Sequence, residues 1–290
     1  MKMLKVFLRV LLLLWVLNTA RAQDQILDGI GETGMVARYI FNGDTKDWSR
    51  NNLHGHVQES GVQFVNDARF GKVLSLSGES NSYVTLPGEA LSGLESVSIS
   101  GWIYLRSHQP GQRFFDFGKD TGRHFFAAPA GTPAQQGYQA LITAGPDNTK
   151  GALSPAIELN RWVHLAIVVD IPSKSLVTYV NAQPAGEAAD ISPEPDAVFG
   201  QPAPQLYIGK SLSAGDANLN ALVYDFRIYR VPLTRRQVAG IFYNAPGSRQ
   251  TSTVNVGKPE ENLPRFSKEE SQLYNAWLLR VSDIQVETEA

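Results

Sequence analysis

The 290-residue chain contains no cysteine. That absence excludes disulfides, thiol nucleophiles and thiolate-ligated metals together, and with them a lipid-modified cysteine that would anchor an exported protein. Cationic charge is not in excess: 26 Lys and Arg stand against 28 Asp and Glu. No basic patch of the kind that binds nucleic acid is present. Long apolar runs are also lacking. The longest, Val10–Leu17, falls far short of the roughly twenty residues a bilayer-spanning helix needs, so no membrane span is expected in the mature chain. Helical periodicity is scarce as well, with no amphipathic stretch of ten or more residues before residue 230.

The first 22 residues, MKMLKVFLRVLLLLWVLNTARA, set Lys2, Lys5 and Arg9 before that apolar run and end on Ala20-Arg21-Ala22. A basic start, a short apolar core and small residues flanking the cut describe a secretory signal peptide cleaved before Gln23. Losing Lys2, Lys5, Arg9 and Arg21 takes the formal charge from −2 to −6. The sequence therefore predicts a secreted or periplasmic protein, mildly acidic. Without disulfides it must rest on a sizeable hydrophobic core.

From Met35 onward the dominant period is two. In VSISGWIYL, Val97, Ile99, Gly101, Ile103 and Leu105 alternate with Ser98, Ser100, Trp102 and Tyr104. In RWVHLAIVVD, Val163, Leu165, Ile167 and Val169 alternate with Trp162, His164, Ala166 and Val168. In ALVYDFRIYR, Leu222, Tyr224, Phe226 and Ile228 alternate with Val223, Asp225, Arg227 and Tyr229. This is the pattern of strands with one buried face. VLSLSG, SYVTLPG, SLVTYVNAQ and QLYIGK read as further short strands bounded by turn residues. Many strands without alternating helices predict an all-β antiparallel sandwich. Pro232–Asn244 is the exception, a closing helical turn with Thr234 as N-cap, Gln237 completing a capping box, and Val238, Ile241 and Phe242 as its apolar stripe. Residues 245–266 are rich in Pro, Gly, Ser and Thr and read as a linker. Residues 267–290 read as a tail helix with Leu273, Trp277, Leu278 and Val281 on one face. The expected layout is a signal peptide over 1–22, a lead over 23–34, one sandwich domain over 35–244, a linker and a tail.

The stretch RFFDFGKDTGRHFF, Arg113–Phe126, gathers Asp116, Asp120 and His124 among phenylalanines. Such a cluster suits a metal site, an acid/base pair or a hairpin with a polar turn. The calcium template of an EF-hand fails at its third and sixth positions. The hairpin reading has strands over Arg113–Phe117 and Arg123–Phe126 and a turn over Gly118–Gly122. Asp116 and His124 are then candidates to touch a ligand. Trp102 and Tyr104, on the serine-bearing face of their strand, are candidate aromatic platforms. His124, Phe126 and Tyr138 are candidates to line a concave surface. For each aromatic the competing reading is burial under loops.

Five segments taken in order resemble a known family: MVARYIFNGDTKDWSRNNLHGHV, ESNSYVTLPGEALSGLESVSISGWIYL, RFFDFGKDTGRHFFAAPAG, LNRWVHLAIVVD with LVTYVNAQPAG, and VYDFRIYRVPLTRRQVAGIF. From about Met35 to Asn244 the chain is similar to bacterial laminin-G-like jelly-roll domains of the concanavalin A-like lectin/glucanase superfold. The resemblance implies a two-sheet antiparallel jelly roll of the kind attached to secreted glycosidases such as arabinofuranosidases, with a role in carbohydrate binding. Ala182 departs from the glycine that usually follows Asn181, so that turn is expected to differ. Glucanases of the superfold carry Glu-x-Asp-x-x-Glu on one strand, and no such triplet occurs here. Retaining glycoside hydrolysis needs two carboxyls about 5–5.5 Å apart. No cofactor is required. Related jelly rolls hold a structural calcium, and the matching positions are Asn42, Gly43, Asp44 and Asp225. The competing reading is an Asp225 that bonds the neighbouring loop or Arg227's side of the sheet. The expectation is a non-catalytic carbohydrate-binding module, accessory to glycan degradation, with a glycosidase as partner. A protein-contact module using Trp277 and Leu278, and a glycan-cleaving enzyme, are the rivals.

Overall fold

The computed structural model describes residues 34–57, 61–192, 195–200 and 204–246. The expected signal peptide, nearly all of the lead, the linker beyond residue 246 and the tail helix lie outside the described residues. The chain divides into Met1–Arg249 and Gln250–Ala290, and every described residue belongs to the first unit.

Two antiparallel sheets form the domain. In sheet A the order is β15 (Gln183–Ala189), β14 (Ser175–Val180), β13 (Trp162–Asp170), β6 (Ser96–Leu105), β17 (Asn220–Tyr229), β4 (Gly71–Ser77) and β3 (Val62–Asp67). Strand β1 (Met35–Tyr39) pairs with the far end of β17. In sheet B the order is β12 (Thr149–Ser154), β11 (Tyr138–Ala144), β8 (Arg123–Ala128), β7 (Phe115–Asp120), β16 (Gln205–Ile208), β5 (Val84–Leu86) and β2 (His56–Val57). A two-strand ribbon, β9 (Gly131–Thr132) with β10 (Gln135–Gln136), stands apart.

The sheets meet over one core, where Val97, Ile99, Ile103, Leu105, Val163, Leu165, Ile167 and Val169 all pack. The alternation predicted for β6 and β13 is thus the observed one. In β17 it is not. The register shifts between Tyr224 and Arg227, with Asp225 at φ 50°. This bulge puts Ala221 and Val223 in the core before it and Phe226 and Ile228 after it, so Leu222 and Tyr224 leave the expected face. Across from the bulge a side chain on Gly101 would crowd the Phe226 backbone and the Phe114 ring at 3.3 and 3.0 Å.

The hairpin at 113–126 is tighter than expected. β7 continues through Asp120, leaving Thr121–Gly122 as the loop, with a bulge between Gly118 and Asp120. The 181–182 turn, in contrast, keeps its geometry without glycine: Asn181 and Ala182 take φ of 50° and 64°, joining β14 to β15 through two residues, as a hairpin with both central residues at positive φ does. The proline-bearing stretch 186–199 holds the end of β15 and a short helix α1 (Pro195–Phe199). Its Val198 and Phe199 plug the core. The closing helix α2 (Arg235–Asn244) begins with the predicted capping box between Thr234 and Gln237.

Candidate functional site

The outer face of sheet A is roofed over. Trp102, the first candidate platform, is 1 % exposed. Phe242 of α2 stacks on it at 5.3 Å, Phe70 tilts against it at 5.3 Å, and the Arg69 guanidinium lies over it at 4.2 Å. Phe70 also stacks on Tyr224 at 4.3 Å. Trp102 therefore has no free face to offer a ligand: Phe242 of α2 covers it, while Val238 and Ile241 of the same stripe pack with Ala166, Val168, Tyr179 and Tyr229. Tyr104 and Trp162 stay half-buried at the border of this cluster, edge to face at 5.8 Å, and the Trp162 Nε1–H donates to Asp67.

The same face holds a buried charge cluster. Asp225 is not a calcium ligand in waiting. Arg38 donates to its Oδ1 at 2.7 Å and Oδ2 at 3.2 Å, and Arg227 to the same oxygens at 3.1 and 2.6 Å. Burial pushes the Asp225 pKa up, but Arg227 and Arg38 outweigh it and hold the carboxyl well below the usual range. Two guanidiniums already neutralise this carboxylate and would repel a cation, so Asn42, Gly43 and Asp44 lose the fourth member of the expected set. Asp44 instead pairs with Lys46 at 3.6 Å at the surface. Among the described residues no group of three or more His, Asp or Glu is placed to hold a metal ion. Next to this charge cluster His164 is fully buried, and burial, with Arg227 adding, drags its pKa from 6.5 to about 3.

The outer face of sheet B is polar. Asp116, on β7, and His124, on β8, share this face because Phe115, Phe117 and Phe125 turn into the core. The structure brings the pair together: His124 Nδ1 lies 2.8 Å from Asp116 Oδ1. Gly118 makes room, since a Cβ there would meet His124 Cβ at 2.4 Å. On the other side, Asp116 Oδ2 accepts from Leu212 N at 3.0 Å. The Ser211 hydroxyl has one proton. It donates to Asp216 at 2.8 Å, with Asp116 the weaker branch at 3.3 Å. Arg113 reaches both carboxylates, Asp216 at 2.8 Å and Asp116 at 3.6 Å, and lies over Phe126 at 4.2 Å. Burial pulls the Arg113 pKa down against the pull of Asp116 and Asp216. Gly111, at φ 94°, lets Asp216 approach: a Cβ would sit 2.8 Å from its Oδ1.

This network is a clamp on the 209–218 loop. Asp116 has no solvent exposure and its acceptor positions are committed to His124, Leu212 and Ser211, so it is not placed to trade protons with a substrate. Tyr138, expected on a concave surface, faces the core instead, fully buried. Its strand alternates Tyr138, Ala140 and Ile142 inward.

Above the clamp opens a cavity of roughly 510 Å³, lined by Gln205, Tyr207, Lys210, Ser213, Asp216 and Asn218 among others. Tyr207 stands opposite Asp116 in the sheet and meets Tyr83 edge to face at 5.5 Å. Its hydroxyl donates to Gln205 Oε1 at 2.7 Å. The Lys210 ammonium lies 4.3 Å from the Tyr83 ring centre and 4.8 Å from that of Tyr207. None of these residues was singled out from the sequence. One signal was there: in QLYIGK, Tyr207 alternates with the core residues Leu206 and Ile208 and so must point outward.

No curated protein matches the chain. Solved structures do. Domain 4 of AbnA, an extracellular GH43 arabinanase from Geobacillus stearothermophilus, solved in complex with arabinotriose, superposes with a TM-score of 0.59 at 23% identity, over 71% of this chain and 97% of that one. The binding domain of botulinum neurotoxin DC in complex with SialylT gives 0.54 at 15% identity over 73% of this chain. The binding domain of Paraclostridial Mosquitocidal Protein 1 gives 0.51 at 18% over 73%. This chain spans about half of those two toxin domains, 51% and 52%. At such identities the likeness is one of fold. A family model, Laminin_G_3, matches residues 77–239, more than half of the chain. With that match, on a two-sheet antiparallel sandwich, the chain belongs to the concanavalin A-like lectin/glucanases superfamily.

Proposed function

We propose that this protein is an exported, non-catalytic carbohydrate-binding module that works beside a glycan-cleaving enzyme, and that the cavity over sheet B is its binding site. The observation that carries the reading is the cavity itself. It is of small-ligand size, walled by a half-buried tyrosine and ringed by hydroxyl and amide side chains, the groups that match sugar hydroxyls. Its floor is fixed by buried carboxylates whose oxygens are already taken. That favours a rigid recognition surface over acid/base chemistry. The arabinanase domain solved with arabinotriose and the toxin domain solved with SialylT lend support, as does the signal-peptide pattern over residues 1–22. In the proposed layout the tail beyond residue 266 links the module to its partner.

A glycan array probed with the purified full chain tests this. Binding to a defined set of plant or host glycans, lost in Tyr207→Ala, is the expected result. Binding to none of them, or release of reducing sugar from a polysaccharide, would overturn it.

A further inference from the structure

The charges around the cavity are unevenly matched. Its charged lining residues are Lys210 and Asp216. Asp216 is matched by Arg113 at 2.8 Å and by the Ser211 hydroxyl. Lys210 meets no carboxylate among the described residues; its ammonium rests on the faces of Tyr83 and Tyr207. A ring quadrupole steadies a cation without neutralising it. The half-buried ammonium is thus oriented and still available to an anion. It also lies across both tyrosine faces, so those rings are not bare platforms for a neutral sugar. Around it Gln205, Asn218 and Ser213 supply donors for hydroxyl or carboxylate oxygens.

We infer that the cavity selects carboxylated saccharides, with Lys210 pairing the sugar carboxylate against the Tyr83–Tyr207 pair. This rests on the carbohydrate-binding reading above and sharpens it. Two sources share that chemistry, uronic acid residues of acidic polysaccharides and sialic acid residues of host glycans.

Calorimetric titration of the full chain with an oligogalacturonate, a sialyl-oligosaccharide and a neutral arabino-oligosaccharide separates the outcomes. At least one acidic ligand is expected to bind about tenfold or more tighter than the neutral one, the scale of one charge-assisted hydrogen bond, and which acidic ligand binds names the source. Lys210→Met is expected to remove that preference with an unchanged melting temperature. Lys210→Arg is expected to restore most of it, and raising the salt to weaken the acidic ligand alone. Neutral and acidic ligands binding equally well, with Lys210→Met indifferent, would overturn the acidic preference while leaving carbohydrate binding intact. Failure of all three ligands, joined by a silent glycan array, would overturn both.

Discussion

On sheet A the outward aromatics Trp102, Phe70 and Tyr224 stack on one another beneath Arg69 and helix α2. On sheet B the outward tyrosines Tyr83 and Tyr207 stay half-buried beside a cavity. Trp102 and Tyr224 of sheet A and Tyr207 of sheet B stand on the non-core side of their strands, and Phe70 and Tyr83 join them from the residues just before β4 and β5. The two sets differ in what covers them. Sheet A is crossed by a helix that brings its own apolar stripe, so its aromatic surface becomes a second core. Sheet B is bordered by a polar loop, 209–218, held by buried ion pairs, so its aromatic surface remains at the rim. An outward aromatic is a ligand platform only if no later segment of the chain claims it.

Each face also has one buried carboxylate held by arginine, and breaking them compares the faces most sharply. Asp225→Ala removes the buried carboxylate that Arg38 and Arg227 share. The expected loss is about 3–5 kcal/mol in urea unfolding, with glycan affinity of the remaining folded protein unchanged. Asp116→Ala is expected to lose less stability, since Arg113 keeps Asp216, but to lose affinity as well, because Leu212 N loses its anchor. Equal effects of the two changes on affinity would break the distinction between roof and rim.

Acid should act on the sheet A face next. His164 has its folded pKa depressed, from 6.5 to about 3, so the unfolded chain takes up its proton first as pH falls. Its contribution is complete above about pH 6.5 and is lost toward pH 3, by up to about 1.4 kcal/mol per pH unit. The Asp225 carboxyl is likewise depressed, and its share begins to fall as pH enters the usual carboxylate range and is lost below it. Unfolding free energies measured from pH 7 to 4 should fall along this limb, and His164→Gln should flatten it. A limb unchanged in that variant would refute the assignment.

The smallest effect is at the edge of sheet A. Ala182→Gly relieves an L-residue held at φ 64°, an unfavourable conformation by about 1–2 kcal/mol. It also frees the unfolded chain and removes a buried methyl, which offset most of the gain. A rise in stability below about 1 kcal/mol is expected from thermal unfolding. A clear loss would mean that the packing of the Ala182 methyl outweighs the turn strain.

Much of the scaffold was legible in residue order. The period of two in β6 and β13 put the right residues in the core, and Thr234 with Gln237 announced the closing helix. The bulge in β17 was not legible, because one extra residue inverts the alternation and leaves no mark in composition. The same alternation, applied to Tyr138-Gln139-Ala140-Leu141-Ile142, would have placed Tyr138 inside. The site was legible only in halves. Asp116 and His124 stood out within one hairpin, but Ser211 and Leu212 lie 95 and 96 residues from Asp116, and only sheet pairing brings β16 beside β7. Trp102 looked like a platform because its cover, Phe242, lies in a helix that follows every strand of the sandwich.

The central claim, that the rim of sheet B binds and the roofed face of sheet A does not, is tested most directly by titrating one bound glycan into Tyr207→Ala and Trp102→Ala side by side. Tyr207→Ala is predicted to lose about tenfold or more in affinity, as truncation of a central interface aromatic does, while stability changes by less than about 1 kcal/mol. Trp102→Ala is predicted to lose about 3–5 kcal/mol of stability while its folded fraction binds within about twofold of the parent, an error-sized difference in free energy. The reverse pattern, with affinity lost in Trp102→Ala and kept in Tyr207→Ala, would contradict the account.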